Sequence, residues 1–199
     1  MTDLHKRSGR LILRLKCAIL LLALSASASW SASLYPKQWD GDFKDATLIF
    51  LPPGTEWQLL KAQCYQESRL KPLARSPVGA YGLCQFMPGT AKDVGKKLNV
   101  TPDQFWLPEV SIRAAGYYMG RLNGSWKAQR PMGDRQKLAQ ASYNAGMGHL
   151  LSAQKLCRDR RLYSEIIACL PSVTGHHSRE TIDYVEKINH KWYPRMLLD

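Results

Sequence analysis

From Thr55 to the C-terminus the chain is a succession of apolar patterns of helical period, separated by Gly and Pro signals, and no stretch alternates polar and apolar residues for more than a few positions. Such a chain buries its core by packing helix on helix. Trp57, Leu60, Cys64 and Glu67 share one face of a first helix, and Thr55 with Gln58 three residues later reads as its capping box. Pro77, Gly79 and Gly82 mark residues 76–88 as a loop, after which Pro88, Gly89 and Thr90 open a helix running to about Leu98. Further helical segments are expected at 112–122, at 135–145 with Gly146 behind it, and at 149–156, 164–169 and 179–192. The expected fold class is mainly α, a single helical domain.

A chain of 199 residues, 45% of them hydrophobic, suffices for one core and an appendage. Residues 1–33 read as a signal peptide. A basic stretch with Lys6, Arg7, Arg10, Arg14 and Lys16 precedes an apolar run from Cys17 to Ala26 and then small residues. The run is about ten residues, against the roughly 20 a spanning helix needs, so stable membrane insertion after cleavage is not expected. Retention as a transient anchor, with Cys17 in a disulfide switch, is the minor alternative. Residues 34–54 read as a lead-in segment around Leu48-Ile49-Phe50-Leu51, and 55–199 as the domain.

The leader holds five of the 28 Lys and Arg and one of the 16 Asp and Glu, so the formal net charge of +12 becomes +8 without it. A basic surface suits nucleic acid, an anionic membrane or an anionic wall polymer, and export weighs against nucleic acid. Four cysteines follow the leader, and an oxidising compartment permits two disulfides. Cys157 and Cys169, close in sequence, are the favoured local pair. His5, His149, His176, His177 and His190 have no ligand spacing, and neither metal nor organic cofactor is expected.

Glu67 is the misfit on its helix. A carboxylate on the stripe of Trp57, Leu60 and Cys64 is costly to bury, and burial raises its pKa until it can donate a proton near neutral pH. Glycosidases need such an acid. Pairing with Arg69 or Lys71 at the edge of the stripe is the plainer reading of Glu67 alone.

The neighbouring motifs reverse that balance. Glu67-Ser68, the loop Gly82-Leu83-Cys84-Gln85 followed by Met87-Pro88-Gly89-Thr90-Ala91, a helix with Ile112, Gly116 and Tyr118, then Tyr143-Asn144-Ala145-Gly146, and finally Glu180-Thr181 with Tyr184-Val185 occur in order. Over about residues 55–193 this resembles the lytic transglycosylases with a soluble-transglycosylase, goose-lysozyme-like domain. The resemblance implies a lysozyme-like fold around a glycan-binding groove, and cleavage of peptidoglycan between N-acetylmuramic acid and N-acetylglucosamine without water, leaving 1,6-anhydro ends. It implies Glu67 as the single acid and base. It also implies Ser68 near the carboxyl, Gln85 and Asn144 on sugar and acetamido groups, Tyr143 lining the groove, and Tyr184 holding Glu67 through its hydroxyl.

Family members usually carry Met where this chain has Cys84. With Cys64 one turn before Glu67, a Cys64–Cys84 disulfide and two separate buried thiols both fit. Three other functions stay open on sequence: a hydrolytic muramidase with a second carboxylate to activate water, for which Asp93, Asp103, Glu109 and Asp134 are the mid-chain acids; an inactive wall-binding or assembly protein of the same fold; and a nucleic-acid binder suggested by charge alone.

Overall fold

The structure, a computed structural model, describes residues 35–199. The leader and transient-anchor readings of 1–33 lie outside the described residues. Tyr35–Asp199 forms one compact unit. Its helices are α1 (Asp40–Phe50), α2 (Trp57–Ser68), α3 (Pro88–Leu98), α4 (Pro108–Ser125), α5 (Met132–Ala145), α6 (Met147–Leu156), α7 (Tyr163–Ile167), α8 (Pro171–Thr174), α9 (Ser178–Lys187) and α10 (Tyr193–Leu197). Short 3-10 turns occupy Pro102–Trp106 and Gly175–His177, and a π turn, Ile188–Trp192, joins α9 to α10. The described residues form no strand beyond isolated bridges at Tyr81.

The lead-in segment is itself a helix. In α1, Phe43, Ala46 and Thr47 face the core at helical spacing, whereas Leu48 and Ile49 of the apolar run are 85% and 65% exposed and only its last residue, Leu51, is buried. The expected capping box is absent as well. Glu56 precedes α2 without a side-chain cap, and the Thr55 hydroxyl donates instead to the Pro52 carbonyl at 2.7 Å, closing the turn between α1 and α2. Asp40 accepts from the buried Lys61 ammonium at 2.6 Å and ties the two helices together. Where α1 crosses α4, Gly120 lies directly beneath the Phe50 backbone, an approach that any Cβ would block.

Two apolar clusters fill the unit. One gathers Phe43, Leu60, Cys64, Leu83, Phe86, Phe105, Ile112 and Met119; the other gathers Trp126, Leu138, Leu150, Ile166, Leu170, Val185 and Ile188. Helices α2 and α5 serve both, with Cys64 and Ala139 turned to the first cluster and Ala62, Leu138 and Ala141 to the second. Both helices therefore form the wall between the cores. Their C-terminal ends carry Glu67, Tyr143 and Asn144.

Candidate active site

Glu67 occupies the last turn of α2, which ends at Arg69 in the left-handed conformation. The helix packs on both cores, so its final turn is placed by burial upstream rather than by the exposed end. Tyr65 meets Trp192 of the π turn edge to face at 5.0 Å, and the Trp192 indole N–H donates to Gln66 at 2.6 Å. These contacts lay the C-terminal helices along α2. Tyr184, buried on α9, then donates its hydroxyl to Glu67 Oε1 at 2.5 Å.

Glu67 as a residue is half-buried, and its carboxyl is closely surrounded by protein. Its pKa is pushed from 4.5 up to about 8, chiefly by desolvation; the Tyr184 hydrogen bond works against the rise and the nearby Glu180 charge adds to it. Glu67 is thus protonated at neutral pH and close to the point of releasing its proton. Tyr143 and Tyr184 are both held well above the ordinary phenol value, first by burial and then by the Glu67 charge, so they remain neutral donors.

The loop opposite α2 is fixed at several points. Tyr81 and Phe86 exchange backbone hydrogen bonds of 3.0 and 2.9 Å, and the Gly82 N–H donates to Ala74 at 3.0 Å. Gly82 has φ of +80°, and a Cβ there would lie 2.5 Å from the Phe105 carbonyl oxygen, so both conformation and space demand glycine. Cys84 is bonded to Cys64, its N–H donates to the Ser111 hydroxyl at 3.1 Å, and its carbonyl accepts from the Tyr143 hydroxyl at 2.8 Å. The second disulfide joins Cys157 to Cys169.

The structure brings Glu67, Tyr143 and Tyr184 together, with Gln85 on the loop whose Cys84 carbonyl Tyr143 holds and Asn144 next to Tyr143 at the end of α5. Gln85, at φ of +53°, gives its amide N–H groups to the Ala74 and Gly82 carbonyls at 3.0 and 2.9 Å. Its amide oxygen has no hydrogen bond within the described residues. Asn144 accepts from the Thr181 hydroxyl at 2.7 Å and donates weakly to Glu180 at 3.4 Å. A cleft of about 360 Å³ opens beside it, lined by Asn144, His149, Thr174, His177, Glu180 and Thr181 among others.

Ser68, next to Glu67 in α2, is taken up by the loop. Its buried hydroxyl donates to the Leu83 carbonyl at 2.6 Å and accepts from the Lys71 N–H at 3.1 Å, so it anchors the loop to the end of α2 instead of bonding the carboxyl. Ser111, Glu180 and Thr181 are participants for which the sequence reading assigned no role. Glu180 and Thr181 stand four and three residues before Tyr184, one helical turn away, and that spacing was the available signal. Nothing in the sequence around Ser111 marks it.

Helix α2 thus ends in a desolvated carboxyl beside a Gly-rich loop that the Cys64–Cys84 bridge and Ser68 fasten to it. The family model for the transglycosylase SLT domain matches residues 51–164, and the chain belongs to that family. Membrane-bound lytic murein transglycosylase F of Vibrio vulnificus (strain YJ016) is 36% identical over 103 residues, which is 52% of this chain and 18% of that protein. The Shewanella pealeana protein of the same name is 38% identical over 117 residues, 59% of this chain and 23% of that one. The chain therefore spans only about a fifth of these relatives' length. Among solved structures, the 70 kDa soluble lytic transglycosylase SLT70 from Escherichia coli superposes with a TM-score of 0.65 at 25% identity, covering 83% of this chain and 25% of that one. An inactive mutant of the lytic transglycosylase Slt from Pseudomonas aeruginosa gives 0.64 at 26% identity, covering 95% and 30%.

Proposed function

We propose that this chain is an exported peptidoglycan lytic transglycosylase, with residues 1–33 as its signal peptide and 34–54 as a lead-in to the enzyme domain at 55–199. The observation that carries the reading is the Glu67 carboxyl, raised to about 8 and held by Tyr184 at the end of α2. Protonated at neutral pH, it donates to the glycosidic oxygen between N-acetylmuramic acid and N-acetylglucosamine as the bond to the muramyl C1 breaks. The resulting carboxylate then takes the proton of the muramyl C6 hydroxyl, whose oxygen closes onto C1. The proton lost in the first step returns in the second, and one carboxyl suffices.

Around this acid, Tyr184 orients the carboxyl and Tyr143 forms the groove wall while bracing Cys84. The open amide oxygen of Gln85 and the weakly engaged amide N–H of Asn144 are the groups offered to sugar hydroxyl and acetamido groups. Ser68 acts through the loop it fastens. The basic surface draws the chain to the anionic wall. Glu67→Gln tests the assignment. The variant should bind insoluble peptidoglycan as wild type does and release no soluble fragments, and release at the wild-type rate would overturn it.

A further inference from the structure

A second concentration of charge lies at the opposite end of α5 from the acid site. Arg130 and Arg135 bracket the first turn of α5, and Arg161 sits two residues before Tyr163, whose N–H donates to Asp134 Oδ1 at 2.7 Å. That bond fastens the segment ahead of α7 onto the start of α5. Arg130 stacks over Trp126 at 4.9 Å, and its Nε and Nη1, together with Arg135 Nε, are shielded from solvent without a hydrogen-bond partner among the described residues. Within those residues none of the three arginines forms an ion pair.

Buried guanidinium donors left unfilled are costly, and like charges beside them add to the cost. Arg130 is held below its ordinary value by desolvation first and by Arg135 and Arg161, with Asp134 opposing. One Asp134 oxygen is already taken by Tyr163, so the cluster has donors in excess of acceptors, and the remaining N–H groups of the half-buried Arg130 and Arg135 and of the exposed Arg161 are the ones a ligand can reach. The start of a helix of 14 residues adds partial positive charge at the same place. A carboxylate has two oxygens, whereas a phosphate presents three or more to three guanidinium forks. Met132 and Leu162, 58% and 39% exposed, belong to the same two chain segments and supply apolar surface near the charge.

We propose that Arg130, Arg135 and Arg161 form a binding site for a phosphate group, either of an anionic lipid headgroup or free in solution. Eight residues separate Arg135 from Tyr143, about 12 Å along α5, so the site can be filled while the groove holds glycan. It does not depend on the reaction assigned to Glu67.

The full chain is titrated with inorganic phosphate by calorimetry, and sedimented with vesicles of phosphatidylglycerol and phosphatidylcholine or of phosphatidylcholine alone. The variants are Arg130→Gln/Arg135→Gln/Arg161→Gln, the single exposed Arg161→Gln, and a charge-matched control, Lys92→Gln/Lys96→Gln/Lys97→Gln on α3. Wild type and the control should bind alike, Arg161→Gln on the order of tenfold more weakly and the triple arginine variant more weakly still. Saturable phosphate binding without vesicle binding assigns the site to the free ion, and vesicle binding displaced by phosphate assigns it to the headgroup. Absence of saturable binding to either probe, or an equal loss in the lysine control and Arg161→Gln, would overturn the site.

Discussion

Replacing Glu67 by Gln preserves the shape of the side chain and an acceptor for the Tyr184 hydroxyl while removing the ionisation. In the wild type, burial moves this carboxyl from 4.5 to about 8. The folded value lies above the unfolded one, so between those limits the native state keeps a proton that the unfolded chain gives up. The group's contribution to stability is complete below pH 4.5 and is lost as pH rises through about 8. At roughly 1.4 kcal/mol per pH unit, the step from pH 5 to 7.5 lowers wild-type stability through this group by about 3 kcal/mol. The Gln variant has no such slope. Urea unfolding of both proteins at the two pH values reads the difference directly: the variant should gain about 3 kcal/mol on wild type at the higher pH. Parallel pH dependences would refute the claim that the native site holds Glu67 protonated.

In the proposed reaction the same ionisation sets the rate, so wild-type activity should fall as pH rises through about 8; Tyr184→Phe, which removes a bond that favours the charged carboxyl, should move that alkaline limb upward and lower kcat more than it changes KM. The Cys64–Cys84 bridge spans 20 residues and both cysteines are fully buried. Cys64→Ser/Cys84→Ser should cost about 3 kcal/mol in urea unfolding, whereas reductant added to the folded enzyme should leave activity unchanged over minutes. Gly82→Ala should cost roughly 2 kcal/mol or more, read as a lowered midpoint, through its positive φ and the Phe105 carbonyl.

Helix placement was largely legible because each helix buries a stripe of helical period: the expected 88–98 segment coincides with α3, and 112–122 lies inside α4. The first helix was not, since Phe43, Ala46 and Thr47 are spaced correctly but mixed with Asp and Gly, while the louder run at 48–51 leaves Leu48 and Ile49 exposed. Local hydrogen-bond competition escaped too: Thr55 and Gln58 have the letters of a capping box, yet the Thr55 hydroxyl is captured by Pro52. Glu67 was visible as a charge on an apolar stripe. That Cys64 and Cys84 are bonded depends on how the loop folds against α2, which spacing along the chain does not encode.

The central claim is that the muramyl C6 oxygen, not water, closes the reaction at Glu67. Digesting purified peptidoglycan in water enriched in heavy oxygen, with mass spectrometry of the soluble muropeptides, tests it most directly. The account predicts anhydro products, each short by the mass of one water relative to a reducing-end muropeptide and free of heavy oxygen. Reducing-end products carrying heavy oxygen would contradict it and make the enzyme a hydrolase.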